Sequence, residues 1–152
     1  MQDGLIQVAF IVITIIANQR GLNDAAAVGI VEKIISFLFL VPSSMLSTVS
    51  ALGAQNIGAN KPERAIATLR YAVLIAVVFG ILATITIQFT AGLIVALFTD
   101  GNTSAGADVI RLGSQYLRGY IFDCIFAGIH FSFSGYFCAC GKSGLSFLHN
   151  IL

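Results

Sequence analysis

Apolar residues in this chain come in long runs and do not alternate with polar ones. From Leu5 to Asn18, Ala25 to Ala54, Leu69 to Phe98 and Gln115 to Cys140, the sequence is dominated by Ile, Leu, Val, Phe and Ala. The polar clusters NQRGLND, AQNIGANKPERA, TDGNTSAGAD and GKSG separate or follow these runs. Apolar stretches of about 18 or more residues match, as helices, the hydrocarbon core of a bilayer, about 30 Å thick. Backbone polar groups in lipid must be satisfied inside helices or a closed barrel, and the strict alternation of barrel strands is missing here. The pattern predicts an all-α, polytopic transmembrane helical bundle of about four spans, with the start of a fifth beyond GKSG. The second run is longer than the bilayer core needs, so it should tilt or protrude. Pro42 near its middle predicts a kink.

Composition agrees. The chain is 57% hydrophobic and 10% charged, with mean hydropathy +0.92, too few charges to cover the surface of a soluble domain. A net charge of +1 offers no footprint for nucleic acid. Cys124, Cys138 and Cys140 lack zinc or thioredoxin spacing and are expected to be buried, unreactive thiols. The N-terminus carries Asp3 where a signal peptide has basic residues, and it has no A-x-A cleavage site. Apolar runs at both ends suggest a piece of a larger protein. Lys61, Arg64, Arg70 and Lys142 fall on one side, against Arg20, Arg111 and Arg118 on the other. That bias places the 55–70 loop in the cytoplasm.

Helical periodicity sorts the faces. Gly29, Glu32, Ser36, Ser43, Ser47, Ser50 and Ala54 fall on one line of the second run. Two readings are open: small residues and hydroxyls form a packing seam, or the stripe lines a water-filled cavity, since a carboxylate in a span seldom faces lipid. In the fourth run, Gly128, Ser132, Gly135 and Ala139 form a small-residue seam. Phe122, Phe126, Phe133 and Phe137 lie opposite, either facing lipid, filling core or offering rings to a flat cation. Ala72, Ala76 and Gly80 repeat the packing pattern in the third run. Asp123 and His130, two turns apart, are either a water-bridged proton-handling pair or an interfacial carboxylate, bonded to Tyr120 or Arg118, beside a satisfied interior histidine.

The segments GLNDAAAVGIVEKI, FLVPSSMLSTVSALGAQNIGANKPERA and YLRGYIFDCIFAGIHFSFSGYFCACGKS, in this order, resemble the multidrug and toxic compound extrusion (MATE) transporters. The G-x-x-x-A-A-A-x-G-I helix entry, the mid-helix proline and the Q-N-I-G-A-x-x-x-E-R-A exit carry the likeness, which extends over nearly the whole chain. The resemblance implies twelve helices in two six-helix lobes. Residues 1–152 would be a partial C-terminal lobe, helices seven to ten and the start of eleven, of a protein whose own termini are cytoplasmic. Asn56 and Gly58 would end the eighth helix at the membrane surface. The implied activity is secondary active multidrug efflux by H⁺ or Na⁺ antiport through alternating access, in the plasma membrane, as in a bacterial cytoplasmic membrane. The implied partners are the lipid bilayer, small organic cationic substrates and the N-terminal lobe of the same protein, with no cofactor besides the coupling ion.

Sodium-coupled relatives carry acids in their seventh and tenth helices. Here Ile6 and Gln7 stand near the first of those places, and Asp123 lies about a turn from the second. The ion-coupling candidates are therefore Asp123, Glu32 and His130, and the cavity-lining candidates Gln7, Ser36, Ser43, Ser47, Phe126 and Phe133. A flippase-type exporter of lipid-linked oligosaccharides is an alternative, disfavoured by the few basic residues within the spans, and a non-functional truncated lobe is another. No paired aspartates, Ser/Lys pair or H-E-x-x-H stands in the runs, so neither catalytic residues nor a metal site is expected.

Overall fold

A computed structural model describes residues 2–142 and 144, with side chains described for Val8 and from residue 11 onward. The described residues form six α-helices: α1 (Gln2–Arg20), α2 (Leu22–Leu38), α3 (Leu40–Gly58), α4 (Pro62–Ala96), α5 (Ser104–Tyr120) and α6 (Asp123–Ala139). Two stretches, Leu22–Gly58 and Pro62–Ala96, are long and apolar enough to cross a membrane, and α5 with α6 makes a third if the pair is one broken span. The helical transmembrane bundle expected from the apolar runs is thus the fold. The start of a fifth span falls on residues that, Gly144 apart, lie outside those described.

Three boundaries differ from expectation. The second run breaks at Phe39, one turn before Pro42, which lies in the first turn of α3. Proline has no N–H to give the carbonyl four residues back, and its ring crowds that carbonyl. The helix therefore interrupts upstream of the proline and restarts with it among the orphan donors of a new N-terminus. The polar stretch 99–108 ends in helix, because Thr103 adopts an extended N-cap conformation and accepts a hydrogen bond from the Gly106 N–H at 3.0 Å. Gly106 is required there: a Cβ would collide with the Asp100 carbonyl oxygen. The fourth run, expected to be continuous from Gln115 to Cys140, breaks at Ile121–Phe122. Asp123 thereby becomes the first residue of α6, where a negative charge suits the helix dipole.

The chain divides into two compact units, Met1–Phe37 with Thr84–Ile121 and Leu38–Ala83 with Phe122–Leu152. In the first, Ala27, Val31, Ile34 and Ile35 form the buried side of α2, at the three- and four-residue spacing of one helix face. Gly106, Val109, Gly113 and Leu117 do the same for α5. A Cβ on Gly113 would stand 3.1 Å from Val95 and 3.6 Å from Val31, so the glycine lets α5 approach both α4 and α2.

In the second unit, α6 packs on two neighbours through the small-residue seam that its spacing predicts. A Cβ on Gly128 would lie 2.7 Å from the Ala76 Cβ, and one on Gly80 would lie 2.8 Å from the Ile125 side chain. Residue numbers run oppositely in these pairs, so α4 and α6 are antiparallel. Further along, Gly135 sits against the Leu46 carbonyl and Gly53 against Ala139. These numbers rise together, so α3 and α6 are parallel. Lipid gives helices little hydrophobic reason to associate, and close backbone approach over small residues supplies the dispersion that does. Ser132 keeps its hydroxyl inside this seam by donating to the Gly128 carbonyl at 2.7 Å.

Parallel packing brings the C-termini of α3 and α6 to one end of the unit, and both close in the same way. Asn60 (φ 57°) and Gly141 (φ 69°) take the left-handed conformation. Lys61 N–H reaches the Asn56 carbonyl and Asn60 N–H the Ile57 carbonyl; Lys142 N–H reaches Phe137 and Gly141 N–H reaches Cys138. Each is a Schellman closure, and each places a lysine where it complements the negative end of the helix dipole. α3 ends at Gly58, as expected, and Asn60 provides the left-handed turn beyond it. Cys124 is buried as expected, but Cys138 is exposed and Cys140 partly so, because they stand at the C-terminal end of α6, on its last turn and its cap.

Candidate functional site

The candidate residues divide between the two units. Glu32 and Ser36 lie on α2 in the first; Ser43, Ser47, Asp123, Phe126, His130 and Phe133 lie in the second. Gln7 is on α1, but its side chain lies outside those described.

Glu32 has the most developed surroundings. Its side chain is half-buried, and its Oε1 accepts a hydrogen bond from the Thr14 hydroxyl at 3.1 Å, linking α2 to α1. The Tyr116 ring from α5 lies within electrostatic reach of the same carboxylate. The Tyr116 hydroxyl is buried and, among the described residues, has no hydrogen-bond partner. Its ring packs edge-on to Tyr120 at 5.9 Å. A carboxylate, a threonine hydroxyl and a phenol from three helices thus lie within one another's influence. Oxygen donors of this kind suit a proton or a small hard cation. Thr14 and Tyr116 were not legible as site residues: Thr14 is one hydroxyl in an apolar run, and Tyr116 reaches Glu32 only through tertiary packing.

Among the described residues, the serine stripe joins no packing seam. Ser36, Ser43 and Ser47 are exposed, and each donates to a carbonyl of its own helix: Ser36 to Glu32 at 2.8 Å, Ser43 to Leu40 and Ser47 to Ser44, both at 3.1 Å. Leu46, Val49 and Gly53 occupy the buried side of α3 instead. Back-bonding within the helix is how a hydroxyl avoids remaining unsatisfied when no neighbour receives it.

Asp123 is exposed at the start of α6. His130, half-buried, stacks edge-to-face on Phe131 at 5.8 Å. Two turns of helix, about 10 Å of rise, separate the aspartate from the histidine, too far for a direct hydrogen bond. Phe126 is 68% exposed and Phe133 38%, so among the described residues these two rings stay clear of the packing that engages the glycines of α6.

The break between α5 and α6 has a polar consequence. It releases the last carbonyls of α5 within an apolar segment, where each unpaired one is costly. The Gln88 amide, among the threonines of α4, donates to the Arg118 carbonyl at 3.2 Å. A lone glutamine in the third run gave no reason to expect this, since its partner exists only where α5 stops.

These features define a helical membrane bundle with a carboxylate held inside it. The chain belongs to the MatE family, whose family model matches residues 4–152; members of that family are transporters rather than enzymes. Protein DETOXIFICATION 51 of Arabidopsis thaliana is 32% identical over 77 residues, covering 51% of this chain. The match spans only 14% of that relative's length. No solved structure matches the chain.

Proposed function

We propose that this chain works as a partial C-terminal lobe of a plasma-membrane exporter, helices seven to ten and the start of eleven. The exporter expels small organic cations in exchange for H⁺ or Na⁺ by alternating access. Family membership supports transport, and the observation that carries the coupling role is the half-buried Glu32 carboxylate, tied to Thr14 across two helices. A charge inside a span is retained where it binds or moves something. Glu32 offers a cation one charged and one hydroxyl ligand, with the Tyr116 phenol, unpartnered among the described residues, nearby. Occupancy favours the conformation in which these groups converge, and release favours the other; that differential affinity drives alternation. Asp123, exposed at a helix start, has a structural reason for its charge. The Phe126 and Phe133 rings suit the organic cation.

The test is efflux in membrane vesicles from cells expressing the full-length protein, driven by an imposed H⁺ or Na⁺ gradient. Glu32→Gln should abolish gradient-driven efflux while protein levels and fold are kept, whereas Asp123→Asn should retain it. Loss of coupling in Asp123→Asn, with normal efflux in Glu32→Gln, would transfer the role to Asp123.

A further inference from the structure

The first unit contains a cavity unconnected with the Glu32 neighbourhood in its lining. Its volume is about 340 Å³, and it opens where α1 ends and α2 begins, against the first half of α5. Such a volume is at the lower end of small-ligand sites. Four charged side chains line it: Arg20 and Asp24 from the α1–α2 turn, Asp108 and Arg111 from α5. Arg111 pairs with Asp108 at 3.5 Å. Among the described residues, neither the Arg20 guanidinium nor the Asp24 carboxylate engages another side chain in an ion pair. Leu22, 85% exposed, and Leu112 supply an apolar border.

Position and chemistry together select a ligand. The cavity sits at the beginning of the candidate span Leu22–Gly58, hence at the depth of lipid headgroups. Two cations beside two anions favour a zwitterion over a net anion, which both carboxylates would repel. Arginine forks match phosphate oxygens. The carboxylates accept hydrogen bonds, which a primary ammonium donates and a quaternary one does not. No lining residue is aromatic, so the ring cage that favours a choline group is absent.

We propose that this cavity binds the headgroup of a phosphatidylethanolamine-type lipid, with Arg20 on the phosphate, Asp24 on the ammonium and Leu22 against the glycerol end of the chains. Native mass spectrometry of the full chain in detergent tests this, using ethanolamine, choline and glycerol phospholipids with identical acyl chains. The ethanolamine lipid should be retained above both others, and Asp24→Asn should reduce its advantage over the choline lipid about tenfold, the loss of one charge-assisted hydrogen bond. Circular dichroism checks that the variant folds, and the headgroup comparison in the unaltered protein requires no substitution. Equal retention of ethanolamine and choline lipids, preference for the glycerol lipid, or an unchanged ratio in Asp24→Asn would overturn the assignment. Displacement of the lipid by soluble glycerophosphoethanolamine at equal concentration would also overturn it, by showing a site for a free solute.

Discussion

Gly128→Ala puts the packing of α6 on α4 to a direct test. The added Cβ would lie 2.7 Å from the Ala76 Cβ, whereas carbon atoms rest at about 3.5–4.0 Å. The helices would have to separate by about 1 Å here, and such a gap forfeits a quarter to a half of each dispersion contact around it. Overpacking of this kind costs about 1–3 kcal/mol. Replacing glycine in a helix returns up to about 1 kcal/mol of propensity, leaving a net loss of about 1–2 kcal/mol. For a chain of this size that is a fall in Tm of about 3–6 °C, measurable by circular dichroism at 222 nm in detergent. Ala76→Gly in the same molecule moves the methyl group from one helix to the other and should recover most of the loss, a coupling within the range of about 0.5–3 kcal/mol found for contacting residues. A Gly128→Ala variant as stable as the parent, or a double variant no better than the sum of its singles, would refute the seam as the source of α4–α6 cohesion.

Three further outcomes follow from the helix ends and the serine stripe. Gln88→Leu leaves the Arg118 carbonyl without its donor and should cost about 1–3 kcal/mol in the same unfolding assay; a neutral result would mean that the carbonyl finds another partner. Asn60→Val forces a branched side chain into the left-handed region and should cost about 1–2 kcal/mol, while Asn60→Gly should stay within about 0.5 kcal/mol of the parent; similar stabilities would argue against the Schellman closure of α3. Ser43→Ala with Ser47→Ala, which removes only hydroxyls bonded to their own helix, should change stability by less than about 0.5 kcal/mol. A larger loss would show that these hydroxyls bond elsewhere.

Much of the architecture is local and could be read in advance. Apolar runs specify helices in lipid because no other backbone arrangement in so continuous a segment satisfies its own hydrogen bonds. The three- and four-residue spacing of Gly128, Ser132, Gly135 and Ala139 specifies a face before anything packs on it, and Ala76 and Gly80 prove to be part of what packs there. The motif order carried the family to which the chain belongs.

Other features arise only when helices meet. Hydroxyls on one line of a helix suit a seam or a solvated face equally, and the packing of Leu46 and Gly53 on α6 leaves Ser43 and Ser47 exposed among the described residues. The interruption after Ile121 is invisible in an apolar run without proline, yet it turns Asp123 from a carboxylate within a span into the first residue of a helix. It also gives Gln88 its partner. Glu32 stood out as a charge among apolar residues, but its bond to Thr14 and the nearness of Tyr116 join α2 to its neighbour α1 and to the distant α5. Periodicity reports which residues share a face of one helix; which faces meet depends on where helices break and how closely their backbones approach, and those are tertiary quantities.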